Sequence, residues 1–177
     1  MAITYTPIAT TTITSDTQAT GVTFSNIPAT YTDLKIIASV SGVNTGDLPL
    51  VVRLNEDSGN NYSKTEIGSR YESATGYVDS RRLSNQNRID LTSYYNMPGS
   101  PIFATIEVDI FSYAGSKFKS LICRKFADND GSGEHIHNVG LWNSTAAVTS
   151  VSLIEVSLGD RYVKTGSTYT LYGIKAE

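Results

Sequence analysis

Ile102-Phe103-Ala104-Thr105-Ile106-Glu107-Val108-Asp109-Ile110-Phe111-Ser112 alternates apolar and polar residues through most of its length. Successive side chains of an extended chain point to opposite faces, so Ala104, Ile106, Val108 and Ile110 fall on one side and Thr105, Glu107 and Asp109 on the other. A helix would split the same four apolar residues between opposite sides of its circumference. The stretch predicts a central β-strand with one buried and one wet face.

The same spacing recurs in both directions. Leu34, Ile36, Ala38 and Val40 share a face up to Ser41-Gly42, and the turn residues Val43-Asn44-Thr45-Gly46-Asp47 follow. Leu48, Leu50, Val52 and Leu54 then align opposite Pro49, Val51 and Arg53, with the proline marking a strand start or an edge. Residues 118–126, 135–142, 150–158 and 168–174 read as further strands. In the third, the apolar phase passes from Val151 and Leu153 to Ile154, Val156 and Leu158, which predicts a bulge. Strands over 4–8, 10–14 and 20–24 bring the expectation to roughly eight to ten, punctuated by Gly, Asn and Ser turns. Between them, 55–61 reads as an exposed turn-rich loop. Residues 62–87 are polar and weakly patterned, and read as a long excursion with one or two short strands, anchored by Tyr71 and Tyr77. The expected fold is all-β, a single-domain antiparallel β-sandwich of jelly-roll type filling 1–177, with 1–10 an N-terminal arm or edge strand.

Composition narrows the function. The chain has 177 residues, 40% hydrophobic and 18% charged, enough for one core with a surface built largely from Ser, Thr and Asn. The net charge of -3 provides no basic stripe to release phosphate counterions, and Arg81-Arg82 is too short to supply one, so no nucleic-acid partner is expected. The single cysteine, Cys123, excludes an internal disulfide and reads as a small buried side chain. Met1-Ala2-Ile3-Thr4-Tyr5 lacks the basic start and apolar run of a secretory signal. No stretch approaches the ~20 apolar residues of a membrane span. The expectation is a protein made in a cytoplasm, with no membrane partner.

Few motifs carry chemistry. Asp128-Asn129-Asp130-Gly131-Ser132-Gly133-Glu134 places oxygen side chains at alternate positions, as the start of a calcium loop does, but strands flank it and no bidentate Glu closes it, so it reads as a hydrophilic hairpin loop. His135 and His137 share one face of a strand and would need a third ligand to hold zinc, and the chain has no other histidine. There is no nucleophile elbow and no phosphate loop, and carboxylates such as Glu107 and Asp109 lie on a solvent face without forming a singled-out pair. No catalytic residue, cofactor or metal site is assigned. The 11 tyrosines are the more informative feature: Tyr62, Tyr71, Tyr77, Tyr94 and Tyr95 suit sandwich ends, protein interfaces and stacking on sugars.

From Phe24-Ser25-Asn26-Ile27-Pro28-Ala29-Thr30-Tyr31-Thr32-Asp33-Leu34 onward, the sequence resembles small structural proteins of tailed bacteriophages, notably those infecting cyanobacteria and marine hosts. Leu54-Asn55-Glu56-Asp57-Ser58-Gly59-Asn60-Asn61-Tyr62-Ser63, Val139-Gly140-Leu141-Trp142 and Gly166-Ser167-Thr168-Tyr169-Thr170-Leu171-Tyr172-Gly173-Ile174 carry the resemblance to the end of the chain. It implies a virion structural protein: a capsid decoration or cement protein binding the major capsid protein or other virion proteins, as a trimer. The alternative it implies is a tail-fibre or receptor-binding module gripping host glycan. The lack of a long shaft favours the first.

Overall fold

A computed structural model describes residues 4–16, 20–43, 48–72, 75–92, 97–99, 101–155 and 162–175. Among them the chain is all-β, with twelve strands in two antiparallel sheets and no helix. In chain order the strands are β1 (Tyr5–Thr12), β2 (Gly21–Phe24), β3 (Asp33–Val40), β4 (Leu50–Leu54), β5 (Tyr62–Glu72), β6 (Thr75–Gln86), β7 (Ile89–Asp90), β8 (Ala104–Ile110), β9 (Lys119–Asp128), β10 (Gly133–Trp142), β11 (Val151–Glu155) and β12 (Thr168–Ile174). The large sheet runs β1-β12-β3-β8-β9-β10-β5-β6 and the small one β2-β11-β4-β7.

Strand β8 sits where its alternation puts it, in the interior of the large sheet between β3 and β9. Its four inward residues lie opposite Val40, Ala38, Ile36 and Leu34 of β3, and all but Ala38 of these eight side chains are completely buried. Tyr169 and Leu171 of β12 and Leu121 and Cys123 of β9 extend this layer. From the small sheet, Val22, Phe24, Leu50, Val52, Leu54, Ile89, Val151 and Leu153 close the same core. One apolar layer between two sheets is the stable way to bury a face of each.

Several expectations change. The polar excursion over 62–87 is a hairpin of the two longest strands, β5 and β6, because its far half is wet on both faces and needs no apolar alternation. The short strand β7 adds a further pair, and twelve strands replace the expected eight to ten. The two strands expected over 4–8 and 10–14 are one, β1, an edge strand interrupted by a register shift between Pro7 and Ala9. Strand β11 pairs in continuous register through Val151–Glu155, so no bulge falls there; Val156 and Leu158 lie outside the described residues, as do Tyr94 and Tyr95.

Candidate binding surface on the large sheet

The small sheet covers one face of the large sheet and leaves the other to solvent. The pleat decides what that outer face carries: Lys35 and Ile37 from β3, Glu107 and Asp109 from β8, Ile122, Arg124 and Phe126 from β9, His135, His137 and Val139 from β10, Ile67 and Ser69 from β5, and Val78 from β6. Its centre is a square of charges. Lys35 Nζ reaches Glu107 at 3.4 Å and Asp109 at 3.0 Å, and Arg124 Nη1 reaches the same carboxylates at 3.0 and 3.2 Å. Burial would lower the Lys35 ammonium, but bonds to Asp109 and the charges of Asp109 and Glu107 hold it above its ordinary value. Each charge has two opposite neighbours, so the patch is satisfied without a partner.

Toward the β5–β6 edge the face turns apolar. Val78 is 76% exposed, Val139 61% and Ile67 54%, and Phe126 is exposed on the far side of His135. Registered pairing puts Ile67 opposite His137 and Val139 opposite Ile122, so Ile67, Val139 and Ile122 adjoin, while His135 and Ser69 separate Phe126 from Val78. His137 meets Phe126 edge-on at 5.7 Å and His135 edge-on at 5.6 Å, and His135 Nδ1 shares a hydrogen bond of 3.1 Å with Ser69 Oγ. Partial burial, then the neighbouring His135 and Arg124, lower the pKa of His137, so it is neutral at neutral pH.

At the tips of the β5–β6 and β9–β10 hairpins an open groove of about 590 Å³ draws on both faces of the sheet, with Ser69, Tyr71, Val78 and His135 from the outer face and Arg70, Tyr77 and Glu134 from the inner. Tyr71 and Tyr77 are about half exposed, and the Arg70 guanidinium lies 4.2 Å from the centre of the Tyr77 ring. A cation held on an aromatic face orients both groups. Glu134 is buried against the Lys125 ammonium, and its Oε2 has no hydrogen-bond partner among the described residues. Aromatic faces, fixed donors and a buried acceptor equip the groove to hold a polar ligand with flat apolar patches.

The residues singled out in the sequence fall here in a new arrangement. Asp128 Oδ1 accepts from the backbone N–H of Asp130, and the Asn129 N–H donates to the Ser132 carbonyl, closing the loop as a hairpin turn. Glu134 points inward to Lys125, away from Asp128, so the donors of the calcium-like stretch diverge. His135 and His137 do share a face. Among the described residues, no three His, Cys, Asp or Glu side chains gather as a metal site would require. Cys123 is fully buried, and burial pushes its thiol up to about 12. Tyr71 and Tyr77 reach the groove, whereas Tyr62 is buried and stacks on Trp142 with ring centres 6.4 Å apart.

Sequence reasoning missed what supports the hairpin from beneath. Arg81 donates to Glu66 at 3.0 Å, Glu66 accepts from Lys64 at 2.8 Å, Lys64 reaches Asp90 at 3.1 Å, and Arg88 closes the line at 2.7 Å. Burial would raise Asp90, but Lys64 and Arg88 hold its carboxyl below the ordinary value. The available signal was the period-two run Lys64, Glu66, Arg70: charges spaced like core residues. No family model, no curated protein and no solved structure matches the chain.

Proposed function

We propose that the protein is a virion structural subunit of a tailed bacteriophage, a sandwich of jelly-roll type that acts by binding and not by catalysis. Its role in this reading is capsid decoration: it seats on the major capsid protein and cements neighbouring subunits of the shell. The observation that supports this most is the uncovered outer face, where Val78 and Val139 flank Ile67 diagonally and Phe126 is exposed beyond His135 and His137, next to a self-satisfied square of charges. Exposed apolar side chains interleaved with neutral polar ones suit a protein interface. A subunit that binds the assembled shell and not the free capsid protein stabilises the shell by mass action.

Mass spectrometry of purified virions tests this through stoichiometry: on the order of hundreds of copies per particle are expected for decoration, against about a dozen for a fibre. Particles lacking the protein should release their genome at lower temperature. Val139→Lys and Ile67→Lys should fold normally and fail to join the particle. Unchanged particle stability, or normal incorporation of both variants, overturns the reading.

The groove favours a second reading, a fibre-tip or receptor-binding module gripping host glycan, since Tyr71 and Tyr77 are both half exposed there and Tyr77 is oriented by the Arg70 guanidinium. Glycan-array binding by the purified protein, lost in Tyr71→Ala and Tyr77→Ala, would separate it from decoration.

A further inference from the structure

The large sheet is open, and its two edges differ. At one end β1 carries Pro7, which has no N–H to donate, and a register shift directly after it. At the other end β6 pairs with β5 alone and is regular from Thr75 to Leu83, without proline. In the small sheet the edge strands β2 and β7 have four and two residues. Among the described residues β6 is therefore the long unblocked edge, with a row of backbone N–H and C=O groups turned to solvent.

We infer that β6 pairs with β6 of a second copy of this chain, antiparallel about a two-fold axis through Ser80, joining the large sheets of two subunits into one.

The sequence of β6 selects this register. A two-fold axis normal to the sheet leaves each face on its own side, so the numbers of facing residues must sum to an even number. A sum of 158 sets Asp79 against itself, and a sum of 162 sets Arg81 against itself. A sum of 160, with Ser80 at the centre, sets Asp79 against Arg81 and Arg81 against Asp79, on one face. On that face Tyr77 then meets Leu83, also twice. On the other face Val78 lies along the aliphatic stem of Arg82. Opposite charges and apolar pairs directly across a ladder are favourable, and like charges are not.

The observed side chains fit. Asp79 is exposed, and Arg81 keeps 27% of its side chain exposed while its Nε bonds Glu66. Its guanidinium is thus anchored and presented at the edge. Charges on an edge also serve to repel other strands. Here their order is self-complementary, which repulsion alone does not require. A three-fold ring would instead need β6 to meet a different edge on its neighbour, and β1 is interrupted at Pro7. The inference is independent of the virion reading, since it concerns the isolated protein.

Light scattering on the purified full chain should give twice the chain mass at micromolar concentration. Asp79→Arg, at an exposed site, should leave the far-ultraviolet spectrum of the folded chain unchanged and weaken the dimer at least about ten-fold. Ser80→Cys should form a covalent dimer under mild oxidation, because the two residues face each other across the axis while the native Cys123 is buried. A monomer at every concentration, a three-fold mass, a dimer indifferent to Asp79→Arg, or a dimer that Ser80→Cys does not cross-link each overturns the inference.

Discussion

Asp57 and Trp142 stand far apart in sequence and meet through one hydrogen bond, Trp142 Nε1 donating to Asp57 Oδ2 at 2.7 Å. The carboxylate also accepts from the Gly59 N–H at 2.8 Å and from Asn61 Nδ2 at 3.0 Å. Burial would raise its pKa; these bonds and the nearby Arg53 bring it below the ordinary value of 3.8. A carboxyl depressed by folding contributes stability that is complete above its unfolded pKa and lost as pH falls through the folded one. Trp142 is the single tryptophan, so its fluorescence reports the bond. Emission should hold steady from neutral pH down to about 4 and shift only below it, and Asp57→Asn should give the acid-like emission at neutral pH. Cys123 should not react with a thiol reagent at pH 8 and should react fully once the chain unfolds, since burial removes both access and thiolate. The buried place of Cys123 was legible, because Leu121 and Cys123 share the period of their strand. The Asp57–Trp142 bond was not: nothing local in either segment names the other.

At the scale of the strand, alternation identified β3, β8, β9 and β12 because each turns apolar residues toward the small sheet. It failed on β5 and β6, where the inward positions are Lys64, Glu66, Arg70 and Arg81 and the pattern is one of charge. The inner face of the large sheet thus grades from apolar to ionic along its width. Lys125 marks the boundary, flanked by Ile106 and Ile136 and paired with Glu134. A buried ion pair adds little over well-packed apolar residues, but breaking it strands a charge. Lys125→Met should cost about 3 kcal/mol or more in urea unfolding, by leaving Glu134 unpaired. The double variant Lys125→Met/Glu134→Leu should recover most of that loss. If the single and double variants are equally destabilised, the pair is not the reason Lys125 is buried there.

In the molecule as a whole, residues of both sheets form one cluster, so damage to the small sheet should be felt throughout. Leu153→Ala removes a fully buried side chain of β11 and should destabilise by about 2–5 kcal/mol. The Trp142 transition, which reports the large sheet, should shift by the same amount as the far-ultraviolet signal; separate transitions would show that the sheets melt independently. The all-β class and the shared core followed from periodicity. The division into sheets of eight and four did not, because pairing between distant strands is a property of the folded whole. The candidate surface was legible in parts, through Tyr71, Tyr77, His135 and His137. Its continuity depends on cross-strand register, which places Ile67 beside His137 and Val139 beside Ile122.

The packed core ends before the β5–β6 and β9–β10 tips do. Beyond the Lys125–Glu134 pair, Ala127 alone among the described residues of these two hairpins packs against the apolar layer between the sheets. Sequence there is released from the demands of folding. The body can stay constant while the tips are rewritten, lengthened or exchanged, so a lineage could acquire a new binding preference at this end without first solving a new fold.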